Sequence, residues 1–184
     1  AAQYQETFDN LAQEGYRLTC ISGYAENGEA RYAGIWELRD GPAWQARHGL
    51  NRVQYQQAFD EMAARGYVLR HVCGYRVNVE VLFAAIWEKE DGIEWLARHG
   101  LTASAYQEAF DQQAAAGMRL VCVDGYSDTG IARYAAVWKR MPAGQWQACH
   151  GLDADGYQHV FDKLRGHGLR PVMVSGYGDG FYPA

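Results

Sequence analysis

The chain has 184 residues, of which 48% are apolar and 21% charged, with a net charge of −5. Apolar content on that scale closes a core and argues against disorder. The acidic balance argues against nucleic acid as a partner, and the lack of any apolar run of about 18 residues argues against a membrane span.

The first element is a helix. Tyr4, Phe8, Leu11 and Ala12 fall on one stripe at helical spacing. The stripe returns as Tyr55/Phe59/Met62, Tyr106/Phe110 and Tyr157/Phe161/Leu164. Gly15, Gly66, Gly117 and Gly168 follow the four stripes, where a left-handed residue ends a helix. Asn51, Thr102 and Asp153 precede the later ones and suit the N-cap. In every copy the phenylalanine is followed by an aspartate (Asp9, Asp60, Asp111, Asp162), which predicts one structural contact per repeat, to a backbone group or an arginine.

A hairpin comes next, from Gly15 through Gly23-Tyr24 and back along Arg31 to Trp36; it recurs at Gly66 to Trp87 and Gly117 to Trp138, and opens again at Gly168. With Asn27-Gly28 as a tight turn, Tyr24 lies opposite Arg31, Gly23 opposite Tyr32, Ile21 opposite Gly34 and Cys20 opposite Ile35. Alternation then sorts two faces. One carries Arg17, Thr19, Ile21, Gly23, Tyr32, Gly34 and Trp36 and stays apolar from copy to copy, as a layer under a helix does. The other carries Leu18, Cys20, Ser22, Tyr24, Arg31 and Ile35 and varies in polarity.

The chain then returns to the next helix through Trp44-Gln-Ala-Arg-His48-Gly-Leu, repeated at Trp95/His99 and Trp146/His150. Tryptophan and histidine four apart predict a shared face of one helical turn. The repeat units are 1–51, 52–102, 103–153 and a partial 154–184, in one array spanning 1–184. The fold class is α+β: tandem αββ units forming one curved antiparallel sheet of seven strands, a half-barrel with helices on one face. An exposed sheet edge invites pairing, so Phe181 to Ala184, a second copy or a closing contact should cover one of the two terminal edges.

The pattern Tyr-Gln-x-x-Phe-Asp…Gly-Tyr-x-Leu…Gly-Tyr…Arg-Tyr-Ala-x-[Ile/Val]-Trp…Trp-x-x-x-His-Gly-Leu resembles the bacterial tandem repeat that accompanies β-lactamase-like serine hydrolases, the polyglycine hydrolases among them. The resemblance covers the whole chain. It implies a curved antiparallel sheet with outer helices, secretion, and a place beside a catalytic domain. Chemistry in those hydrolases belongs to a Ser-x-x-Lys motif outside the repeats, and no Ser-x-x-Lys occurs here: Ser22, Ser104, Ser127 and Ser175 are followed three residues on by Ala25, Gln107, Gly130 and Gly178.

The remaining candidates are read from the repeat geometry. His48, His99 and His150 sit in successive repeats, roughly 10 Å apart if their strands are two apart, too far to share a metal. The same spacing separates Cys20, Cys73 and Cys122 and predicts free thiols. No cofactor or metal is expected. Tyr24, Tyr75, Tyr126 and Tyr177, with Arg31, Arg133, His71 and Asp124, occupy the variable face and are the candidate ligand-binding set, a ladder on which sugars or peptides could stack. These readings predict a non-catalytic module that binds or positions an extended polymer, glycan or peptide. The alternatives are a structural protein assembling through its sheet edges and, third, a hydrolase.

Overall fold

The computed structural model describes residues 2–142 and 144–178. Its elements run α1 (Ala2–Gln13), β1 (Tyr16–Glu26), β2 (Glu29–Leu38), β3 (Trp44–Leu50), α2 (Arg52–Ala64), β4 (Tyr67–Val77), β5 (Glu80–Lys89), β6 (Trp95–Leu101), α3 (Ala103–Ala115), β7 (Met118–Asp128), β8 (Ile131–Arg140) and α4 (Ala154–Gly166). Helix, strand, strand therefore recurs as the sequence predicts.

Local chemistry sets the helix ends. Asn51 accepts the Gln54 amide while Gln54 reaches back to the Asn51 amide, a reciprocal capping box. Thr102 and Asp153 accept the amides of Ala105 and Gly156. At the other end Gly15, Gly66, Gly117 and Gly168 have φ of 88°, 76°, 75° and 78°, which a β-carbon would strain. The recurring aspartates find a different partner from the one expected. Each accepts a hydrogen bond from the glutamine one turn earlier, Gln5 to Asp9 (2.8 Å), Gln56 to Asp60 (2.8 Å), Gln107 to Asp111 (2.9 Å) and Gln158 to Asp162 (3.0 Å).

The hairpin register is the expected one over Cys20 to Tyr24. Below it an extra residue intervenes, Thr19 in β1, Arg70 in β4 and Val121 in β7, so that Leu18, Leu69 and Leu120 lie opposite Trp36, Trp87 and Trp138. This bulge moves the leucine onto the tryptophan face, against strict alternation. That face meets the helix: Phe8 packs on Trp36 (5.1 Å), Tyr55 stacks on Phe83 (4.7 Å) and Tyr106 on Tyr134 (5.1 Å). Trp87, Trp138 and Phe83 are fully buried there.

The linker is a correction. Trp44–Leu50 and Trp95–Leu101 are strands, pairing antiparallel with β5 and β8 of the following unit. Trp44 and His48 do share a face, because four residues also return to the same side of a strand. Backbone hydrogen bonds thus define three sheets, β1-β2, β3-β5-β4 and β6-β8-β7, and no barrel closes among the described residues. First strands β1, β4 and β7 lie beside one another, and side chains carry the array across these seams. The covering role expected of Phe181 to Ala184 falls outside the described residues.

Candidate functional site

The variable strand face lies at the seams. At each one the glycine of the earlier strand donates its amide to a side chain of the next: Gly23 to Cys73 Sγ (3.3 Å), Gly74 to Asp124 Oδ2 (2.7 Å) and Gly125 to Ser175 Oγ (3.1 Å). Two residues earlier a side chain meets a carbonyl. His71 Nε2 lies 2.7 Å from the Ile21 oxygen, which requires its proton on Nε2, and Cys122 Sγ lies 3.8 Å from the Val72 oxygen. A tyrosine ring then covers the glycine. A β-carbon on Gly23, Gly74 or Gly125 would stand 2.3, 2.5 or 2.2 Å from the rings of Tyr75, Tyr126 or Tyr177. Only glycine permits that approach.

The tyrosines are fixed further by their edges and hydroxyls. Tyr75, Tyr126 and Tyr177 stand nearly perpendicular to Tyr32, Phe83 and Tyr134. The Tyr75 and Tyr126 hydroxyls accept the amides of Gly49 (3.2 Å) and Gly100 (3.0 Å). Tyr75 is 4% exposed and Tyr126 2%. The expectation that these rings form an open ladder is therefore corrected: Tyr75, Tyr126 and Tyr177 each lie against the preceding unit, and burying an aromatic ring on bare backbone is what holds the seam. His71 and Asp124, from the same candidate set, are buried in the same junctions.

Burial also sets their protonation. It pushes the Asp124 carboxyl up to about 7, although the Gly74 amide and the Ser175 hydroxyl, both donating to it, pull the other way. It pushes the Cys73 and Cys122 thiols up to about 12 and lowers His71. Thiols held so far from thiolate are poor nucleophiles. Cys20, Cys73, Cys122 and Cys149 are all free. Among the described residues no three His, Cys, Asp or Glu side chains are grouped as metal ligands.

His48, His99 and His150 pack between the helix tyrosine and the strand aromatic of their own units, at 4.5–5.5 Å from those rings. Burial lowers the pKa of all three.

What stays accessible from the candidate set lies at the ends and along the hairpin tips. Tyr24 and Tyr177, at the two ends, are partly exposed. Arg31 pairs with Glu26 (3.2 Å) and Glu29 (2.7 Å). Arg133 approaches Asp128 (3.8 Å), which Arg52 also holds (2.6 Å). The tips of the first two hairpins are joined by Asn78 Nδ2 donating to the Gly28 carbonyl (3.3 Å). Cys73 and Ser175 were outside the candidate ligand-binding set, although each stands 51 residues from Asp124 and so shares its seam position.

Family comparison agrees with this unit. The family described as polyglycine hydrolase-like, structural repeat, matches residues 1–38, 41–90, 92–141 and 143–182. Two of those segments span the two three-stranded sheets together with their helices, 44–89 and 95–140. Repeat length, seam glycines and family match converge, and the chain belongs to the polyglycine hydrolase-like structural repeat family.

Proposed function

We propose that the chain is a non-catalytic positioning module, a stiff array that holds an extended polymer, peptide or glycan, beside a catalytic domain. The observation that carries this reading is the rim. The tips of the first two hairpins are tied side by side through Asn78 and Gly28, and Arg31 and Arg133 stand at equivalent places on the first and third. Guanidinium and amide groups set along one rim suit an extended ligand, with affinity summed over several weak contacts. Secretion belongs to the same proposal and rests on the family likeness.

Calorimetric titration with an oligoglycine peptide and with a chitin oligosaccharide tests it. One of the two should bind, and Arg31→Ala with Arg133→Ala should weaken that binding at least tenfold with an unchanged urea midpoint. Absence of binding by either polymer, or hydrolysis of one by this chain alone, would overturn the positioning role.

A second reading, assembly through sheet edges, is favoured by unit one. Ile35 is 60% exposed where its counterparts Ile86 and Val137 are 2% and 0%. Concentration-dependent sedimentation abolished by Ile35→Asp would support it; a monomer at all concentrations would remove it.

A further inference from the structure

Successive seams are built from the same parts. Gly23, Gly74 and Gly125 each donate an amide to the next unit, and Tyr75, Tyr126 and Tyr177 each cover the glycine behind them. On these contacts alone the third unit could dock on the first, with Asp124 accepting the Gly23 amide and Tyr126 lying over Gly23. Repeat chains misassemble in this way, by skipping a unit or exchanging one with a second copy.

One pair of positions differs in sign from seam to seam. Arg39, just beyond β2, holds Glu88 of β5 (3.2 Å), 49 residues on. One unit later Glu90, just beyond β5, holds Lys139 of β8 (2.5 Å), again 49 residues on. Arg39 and Glu90 occupy one repeat position, and Glu88 and Lys139 the other. The cation therefore comes from the earlier unit at the first seam and from the later unit at the second. A third position follows the reversal. Arg17 of β1 also reaches Glu88 (3.1 Å), whereas its counterpart in the second unit is Val68, buried and uncharged. The side chains that receive these contacts are little exposed, Glu88 14% and Lys139 1%, which leaves a mismatched charge little access to water.

We propose that this reversal fixes the order of the units: it admits the second on the first and the third on the second, and refuses the third on the first. In the skipped arrangement Lys139 would face Arg39 and Arg17 without the Glu88 that binds both. The neighbouring carboxylate there, Glu37, is already paired with Arg39 (3.0 Å). Selection of this kind comes from repulsion built against the wrong neighbour as much as from attraction to the right one. It stands independently of the positioning role.

The test exchanges the two charges of the second seam in the full chain. Glu90→Lys and Lys139→Glu alone each set like charges together and should lower the urea midpoint. The double variant restores an opposite pair at unchanged net charge and should regain at least half of that loss. It also puts a carboxylate at position 139, which Arg39 and Arg17 of a first unit can bind. Refolded from urea, it should therefore leave roughly threefold more chains in oligomers than the parent does, rising with protein concentration. In those oligomers Cys73 should react with a thiol reagent while Cys122 stays protected, because a first unit then covers the third and leaves the second bare; both are buried in the native seams. Monomer recovery equal to the parent's would overturn the proposal, since sign would then not select neighbours. Equal reactivity of the two thiols, the mark of unspecific aggregation, would overturn it as well. So would a double variant no more stable than the single ones, because the contact would then not be read by charge.

Discussion

Cys73, Asp124 and Ser175 differ in charge and size, yet each accepts an amide from the glycine of the preceding unit. Two residues before them His71 and Cys122 face a carbonyl. One position needs an acceptor and the other a donor, so the side chains stand in for the backbone of a missing neighbouring strand and satisfy groups that would otherwise be buried unpaired. Asp124 is the costly choice. Its raised folded pKa means that the folded state holds the proton more tightly, so its contribution to stability is full below about 3.8 and is lost as pH rises through about 7. Asp124→Asn keeps an acceptor for Gly74 and offers Ser175 a donor, without the charge. The variant should gain urea resistance over the parent progressively from pH 4 to pH 8; a pH-independent difference would show that the carboxyl does not titrate in this range. Tyr126 gives the second prediction at this scale. Tyr126→Ala empties the ring's place over Gly74 and should cost about 3–5 kcal/mol in chemical denaturation, whereas Tyr126→Phe loses only the Gly100 contact, about 0.5–1.5 kcal/mol. Polar variation on one strand face suggested an open ligand surface because buried layers tolerate few unpaired polar groups. These groups are paired, and their partners are backbone atoms 50 residues away, which no side-chain pattern displays.

Among elements, the hairpins and helices were the legible ones. Asn27-Gly28 fixes the first register, and its φ values of 52° and 76° are those a tight primed turn demands. The caps Asn51, Thr102 and Asp153 mark helix starts by chemistry that acts within four residues. The bulges left no such mark: Thr19, Arg70 and Val121 have nothing in common that announces an extra residue. β3 was ambiguous for a simpler reason. A tryptophan and a histidine four apart coincide on a helix and on a strand alike, and what decides is the β5 edge that receives them. That edge makes units unequal. β5 and β8 are paired on both sides, while among the described residues β2 is paired with β1 alone. Amide exchange should therefore be slow along Phe83 to Glu88 of β5 and Tyr134 to Lys139 of β8 and fast at alternate positions of β2; uniform protection of β2 would mean that something covers its edge.

Over the whole molecule, units are coupled in series. Glu88 sits on β5 but binds Arg17 of β1 (3.1 Å), Arg39 beyond β2 (3.2 Å) and Arg70 of β4 (3.1 Å). Its burial favours the neutral carboxyl, yet the Arg17 hydrogen bond and the charges of Arg70 and Arg39 outweigh this and hold it below the usual carboxylate range. Stability in such an array is a sum of unit and seam terms, and the seams here mix stacked rings, side-chain hydrogen bonds and ion pairs.

β3 belongs to two units at once. Its backbone is laced into the second sheet, while Trp44 and His48 lie against Phe8 and Tyr4 of α1. The peptide bonds of the exposed loop 39–43 therefore join parts that already grip each other. A protease site placed at Gly41-Pro42 and cut in the folded protein should yield two fragments that co-elute on gel filtration and part only in denaturant. Prompt separation in buffer would show that the first seam depends on covalent continuity. Fragments that stay together would make a broken chain, at this one place, equivalent to an intact one.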